Sequence, residues 1–192
     1  MARFYRLDAP AGAIAAAFHA DPGRDPWDGG AIHPGDFAPV IVGTPEGRRR
    51  IVPRLWGVPP PPGVALRDPT RSVTHVRNLE SPFWIGSLRH RHLRCLVPAT
   101  GFPLRHGTAG LATGEPFAFA GLWRDSEVPS FAILTCEPNR LVSALGGTAM
   151  PVILQRADEE NWLTAGWSRA ARLVEPFPSQ LMAASEGPRQ TA

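Results

Sequence analysis

Apolar positions along this chain come in short runs separated by Pro, Gly and charged residues, with few long helical stripes. "RFYRL" (3–7) alternates and predicts a short strand. The Ala-rich "APAGAIAAAF" that follows predicts a helix ending near His19, with Asp8 placed to cap its first turn. "APVIV" (38–42) and "RRRIVPRLWG" (48–57) flank the turn "GTPEG" and predict a hairpin with three arginines at its tip. "VPPPPGVALRDPTR" (58–71) is a connector, because proline lacks an amide donor and keeps its predecessor out of the helical region. "SVTHV" is a short strand, and "SPFWIGSLRHR" is a helical turn with Pro82 near its start. Three strands are then expected in "LRCLVPATGF", "PFAFAGLW" and "SFAILTCEP", with "GTAGLATGEP" between the first two read as turns. A helix "NRLVSAL", a strand "GGTAMPVIL", a helix "EENWLTAG" opened by Asp158 or Glu159, and one or two turns in "SRAARLV" complete the series. Strands outnumber helices and do not alternate with them regularly. The fold class expected is α+β: a single domain over 1–178 of mostly antiparallel, barrel-like sheet with a few peripheral helices, followed by a polar tail over 179–192.

Composition narrows the setting. With 192 residues and 43% hydrophobic residues the chain can bury one core. No apolar run approaches the ~18 residues of a membrane span, and "MARFYRLDAP" lacks the apolar segment of a secretory signal, so the expected compartment is the cytoplasm. Cys95 and Cys136 both lie in apolar runs and are expected as buried, reduced thiols.

Net charge is only +3, yet it is unevenly placed. Residues 1–105 carry 14 Arg against 8 acids, and residues 106–192 carry 6 Arg against 9 acids. The chain has no Lys. An all-arginine cation set favours bidentate phosphate contacts and stacking on bases, and it is equally the signature of a GC-rich genome. The asymmetry is therefore compatible with nucleic acid without requiring it.

The most basic stretch, "RHRHLRCLVPATGFPLRH" (89–106), contains no acid. His90 and His92 are spaced to share a strand face, but no CxxC, HExxH or nearby carboxylate completes a metal site, so no metal or other cofactor is expected. The Gly-containing segments match neither a P-loop nor a dinucleotide fingerprint. There is no GxSxG, and no His beyond His106, for a serine hydrolase.

Six short motifs in order carry more information: "LWG" (55–57), "HVRN" (75–78), "RCLVPATGF" (94–102), "FAGLW" (119–123), "LTCEPN" (134–139) and "AMPVIL" (149–154). Together they resemble the SOS response-associated peptidase (SRAP) family, in a divergent, phage-related branch, over Met1 to about Trp167. The resemblance implies a compact α+β domain with a basic groove for single-stranded DNA, active on abasic sites. In the family a Cys at position 2, exposed after removal of the initiator Met, forms a durable crosslink to the sugar aldehyde, assisted by an Asn, a Glu and a His.

At all four positions this chain differs. Ala2 stands where the family has Cys, His75 where it has Asn, Leu104 where it has Glu, and Gly146 or Gly147 where it has His. Leu104 cannot transfer a proton and Ala2 has no thiol. The leading expectation is a domain that binds single-stranded or abasic DNA with its crosslinking and peptidase chemistry lost. A second reading keeps reversible imine chemistry on the Ala2 amine, with His75 as a relocated acid or base. A third makes the domain a protein-interaction module. The DNA-binding candidates are Arg3, Trp56, Arg77, Arg89, Arg91 and Arg94, with Trp56 equally readable as core. A monomer is expected.

Overall fold

The computed structural model describes residues 4–61, 63 and 72–185. Strand β1 (Tyr5–Leu7) leads into helix α1 (Ala11–Phe18), which buries Ala11, Ile14, Ala15 and Phe18 on one face and ends at His19 in the left-handed conformation. Asp8 does not cap this helix; Pro10 occupies the cap. The Asp8 carboxylate instead accepts from Arg6 at 2.8 and 2.5 Å and from the Thr100 hydroxyl. The hydrogen-bonded Arg6 guanidinium, two residues back on β1, holds the Asp8 pKa below its ordinary value. Within the long Pro/Gly loop lie two short strands, β2 (Ala20–Asp21) and β3 (Gly30–Ile32).

The hairpin forms as the pattern requires, from β4 (Phe37–Gly43) and β5 (Arg49–Trp56). Its two ladder prolines, Pro39 and Pro53, face each other. Beyond it come β6 (His75–Val76), helix α2 (Ile85–Arg89), a 3-10 turn over Arg91–Leu93, and the fully buried strand β7 (Arg94–Ala99). Most of the proline connector, residues 62 and 64–71, lies outside the described residues.

Three segments differ from their sequence patterns. "GTAGL", expected as a turn, is strand β9 (Gly107–Leu111) paired to β8 (Phe102–Leu104), so "RCLVPATGF" is two strands broken at Thr100–Gly101. "GGTAMPVIL" is likewise divided, into β12 (Met150–Pro151) and β13 (Ile153–Leu154). The expected tail is in part built into the fold: all of β14 (Met182–Ser185) pairs with Thr108–Leu111 of β9, and the buried Met182 anchors it. Residues 186–192 lie outside the described residues.

The main sheet runs β12, β11 (Ser130–Cys136), β10 (Phe117–Arg124), β7, β4, β5, β2. β5 also meets β11 in parallel through two residue pairs, Leu55 with Ser130 and Trp56 with Phe131. The sheet therefore curls back on itself in a barrel-like way without closing along its length, and β6 extends the same edge of β11 at Ile133 and Leu134. Helices α3 (Arg140–Ala144), α4 (Glu159–Thr164) and α5 (Trp167–Ala170) pack outside. Asn139 caps α3, its side chain accepting from the Val142 amide at 2.9 Å.

The interior is aromatic. Tyr5, Trp56, Phe102, Phe119 and Phe131 pack edge-on or stacked with centroids 5.1–6.5 Å apart. Trp162 of α4 is fully buried and donates its indole N–H to the Cys95 carbonyl at 3.0 Å, which fixes the helix to β7. Arg49 reaches from β5 to the buried Glu159 at 2.7 Å. Arg156 contacts the other Glu159 oxygen at 3.2 Å. Burial nonetheless raises the Glu159 pKa against the pull of both guanidinium groups.

Candidate functional site

Strand β8 and the β12 approach bring two of the sequence-flagged positions together. Leu104 ends β8, half-buried, and its Cδ2 lies 3.1 Å from where a Cβ on Gly147 would stand. The approach is tighter still on the other side, where the Val142 Cγ1 is 2.5 Å and the Val142 carbonyl 3.0 Å from that point. Gly147 is held there by its amide, which donates to the Val142 carbonyl at 2.9 Å. Gly146 is closed to a side chain for a different reason. Its φ is 80°, the region that favours glycine, and a Cβ would meet Arg105 Cβ and His106 Cδ2, each at 3.1 Å. The turn thus leaves no room for a side chain at either glycine. The exposed His106 ring lies against Gly146, and the Val142 and Leu104 methyls lie against Gly147.

His75 sits elsewhere on the same wall. It pairs with Ile133 on one edge of β11, while β12 pairs with Thr135 and Cys136 on the opposite edge. Two strand spacings, roughly 10 Å, separate the two edges. Within this span Leu134 ties the flanks together, pairing with Val76 and accepting from the Val152 amide at 2.9 Å. His75 packs edge-on to Trp56 with centroids 5.7 Å apart, and its Nδ1 is 2.9 Å from the Thr74 hydroxyl. Burial pulls its pKa down to about 4, so the imidazole is neutral at physiological pH. A neutral ring fixed by a hydroxyl and a tryptophan can take part in hydrogen bonds but is a poor proton acceptor at neutral pH. It cannot supply a cation.

The basic candidates separate into different places. Ala2 and Arg3 lie outside the described residues. Arg77 follows β6, exposed, and forms no ion pair among the described residues. Arg89 and Arg91 are exposed at the N-terminal end of β7. Leu104 lies beyond the other end. Six residues of strand at about 3.3 Å each put roughly 17 Å between the two ends, so Arg89 and Arg91 do not line one site with Leu104.

Two candidates need correction as surface contacts. Trp56 is 1% exposed, held by its indole N–H to the Thr74 carbonyl at 3.1 Å, and offers no face for a base. Arg94 is also 1% exposed. Its guanidinium donates to the Ala165 carbonyl and lies over the Trp162 ring. Burial, and then the neighbouring Arg91, lower its pKa to about 10. The surrounding run of Arg and His concealed that position 94 already belongs to the buried strand.

The remaining chemistry is sparse. Cys95 is buried with its thiol pKa pushed up by desolvation, and Cys136 is half-buried and pushed up to about 12, first by burial and then by Glu137 and Glu175. Neither is a poised thiolate. The His90 and His92 rings are 5.4 Å apart, and among the described residues no group of three His, Cys, Asp or Glu converges. No helix among the described residues is long and apolar enough to cross a membrane.

Fold and motif order together define the class. The family model for SOS response associated peptidase (SRAP) matches residues 2–187. The chain belongs to the SRAP family, whose name ties it to the response to DNA damage. Among solved structures it is similar to a protein from Bordetella bronchiseptica, with TM-score 0.79 and 19% identity over 97% of this chain and 99% of that one. A protein from Bacteroides thetaiotaomicron is as similar, at TM-score 0.79 and 20% identity over 97% and 92%. A phage-related protein from Bordetella bronchiseptica matches at TM-score 0.70 and 18% identity over 97% and 94%. At these identities the likeness speaks for the fold. Among curated proteins no sequence matches.

Proposed function

We propose that this protein is a DNA-damage-response member of the SRAP family that binds single-stranded or abasic DNA and has lost the crosslinking and peptidase chemistry. The observation that carries the reading is the packing at Gly146 and Gly147. A site that had merely exchanged its histidine for glycine would leave a gap. Here one glycine needs its positive φ and the other faces the Val142 methyl at 2.5 Å, with apolar Leu104 completing the contact. Neither glycine nor Leu104 can transfer a proton, and the imidazole beside the turn is the exposed His106.

The exposed Arg77, within the motif that matches the family, is the residue assigned to the strand backbone. Fluorescence anisotropy of a labelled single-stranded oligonucleotide against salt tests this. Binding at low salt should weaken as salt rises, and Arg77→Ala should make the log–log slope shallower by about 0.7. Absence of binding at low salt removes the DNA reading and leaves the protein-interaction module.

A second reading starts from the amine that removal of Met1 would expose on Ala2. An α-amine has a pKa of about 7.7–8.0, so a fraction of it is free at neutral pH without help from a base. With an abasic strand, the amine would add to the sugar aldehyde and lose water to give a reversible imine. Borohydride would reduce that imine to a secondary amine. A borohydride-trapped adduct that disappears when the N-terminal amine is blocked would establish this chemistry in place of the inactive site.

A further inference from the structure

A cleft of about 440 Å³ opens at the end of β7 remote from Leu104. One wall is the hairpin tip, Gly43, Thr44, Pro45 and Gly47; the other is Arg91 and His92, and Leu163 and Thr164 of α4 complete the lining. No carboxylate lines it. The nearest acid on the tip, Glu46, is exposed, and its pKa is lowered first by the Thr44 hydroxyl and further by its own backbone amide, Arg48 and Arg50. Across the hairpin, Glu160 faces away toward Arg49 at 3.4 Å.

Arg94 supplies an independent observation. It follows directly on the turn that carries Arg91 and His92, and it donates to Ala165, the residue after Thr164. The same two segments that form the cleft therefore bracket its guanidinium. That guanidinium is 1% exposed, pairs with no carboxylate among the described residues, and leaves Nε and Nη1 without an acceptor. A buried cation with idle donors is costly unless an anion or acceptor comes to it. Trp123 stiffens the arrangement, its indole N–H donating to the His92 carbonyl at 2.9 Å while the Arg54 guanidinium lies over its ring at 4.9 Å.

We propose that this cleft is an anion site for a phosphate group, contacted directly by Arg91 and His92 and favoured by the uncompensated charge of the adjoining Arg94. It is separate from the position of Leu104 and Gly147 and does not depend on the function proposed for that site. The phosphate could belong to a nucleic-acid strand or to a small phosphate, and the chemistry is shared.

The test is thermal unfolding of the full chain with inorganic phosphate, thymidine monophosphate or a twelve-residue oligothymidylate, each against sodium chloride at equal ionic strength. A ligand at ten times its dissociation constant should raise Tm by about 3–6 °C. Arg91→Ala should abolish the rise. Arg94→Met, which removes the buried charge and keeps an apolar filling, should also abolish it while leaving the protein without ligand at least as stable as the parent. Arg77→Ala should leave the rise intact, which separates this site from the assigned DNA contact. A rise with the oligonucleotide alone identifies a strand as the source, and a rise with all three identifies any phosphate. No rise with any of the three, or a rise that survives both Arg91→Ala and Arg94→Met, overturns the proposal.

Discussion

Adding a single methyl at Gly147 tests whether the turn has been rebuilt around the absence of a side chain. Gly→Ala at a compatible position normally stabilises a protein by about 0.4–1 kcal/mol, because the unfolded chain loses freedom. The backbone at Gly147 is outside the positive-φ set, so conformation alone would allow that gain. Space forbids it. The new Cβ would lie 2.5 Å from Val142 Cγ1 and 3.0 Å from the Val142 carbonyl, and neither is the free end of a long side chain. Val142 is fully buried and is the residue Asn139 caps, so it cannot step aside cheaply. Overpacking of this kind costs about 1–3 kcal/mol, which for a chain of this size lowers Tm by roughly 2–12 °C. Val142→Ala removes the offending methyl, so the double variant should recover part of the loss, a non-additivity expected of side chains in contact. Differential scanning calorimetry of the parent, Gly147→Ala, Val142→Ala and the pair measures all four corners. Gly147→Ala as stable as the parent, or strictly additive effects, would refute the reasoning.

Two further expectations follow from buried charge. His75 has its folded pKa near 4, below its unfolded value near 6.5. Its penalty is absent above pH 6.5, grows as pH falls between 6.5 and 4 while only the unfolded chain takes up the proton, and is complete below 4. The total is about 3 kcal/mol. His75→Asn should flatten the unfolding free energy over that window relative to the parent, and identical pH profiles would contradict the burial argument. Arg49→Ala strands the buried Glu159 carboxylate with Arg156 as its remaining partner and should cost about 3 kcal/mol in urea denaturation. Arg49→Ala with Glu159→Gln should cost less than Arg49→Ala alone, and a larger loss in the double variant would show that the pair is not what holds β5 to α4.

Much of the fold could be read in the chain because its strands obey simple patterns. The hairpin announced itself by two apolar runs around "GTPEG", and β7, β10 and β11 by runs too short for helices and bounded by turn residues. β9 escaped because the two Gly and the Ala of "GTAGL" are depleted in strands, and its existence depends on β8 and on β14, which lies about 70 residues later. The resemblance pointed to four positions, Ala2, His75, Leu104 and Gly146 or Gly147, but the contact of Leu104 with Gly147 was not legible. Nothing in the sequence shows that Val142 approaches Gly147, since that contact is made by the turn after α3 folding back on its own first turn. The run from Arg89 to His106 misled most. Contiguous in sequence, it reads as one basic surface, whereas β7 carries its two ends about 17 Å apart and buries Arg94 between Trp162 and Ala165.

The central claim, binding without crosslinking, is tested most directly with a labelled single-stranded oligonucleotide bearing one abasic site. The full chain is incubated with it at low salt, without reductant, and the mixture is divided between a native and a denaturing gel. The account predicts a shifted complex on the native gel and free oligonucleotide alone on the denaturing gel. A band that survives denaturation would show that durable crosslinking persists without a thiol at Ala2 or a carboxylate at Leu104, and would contradict it.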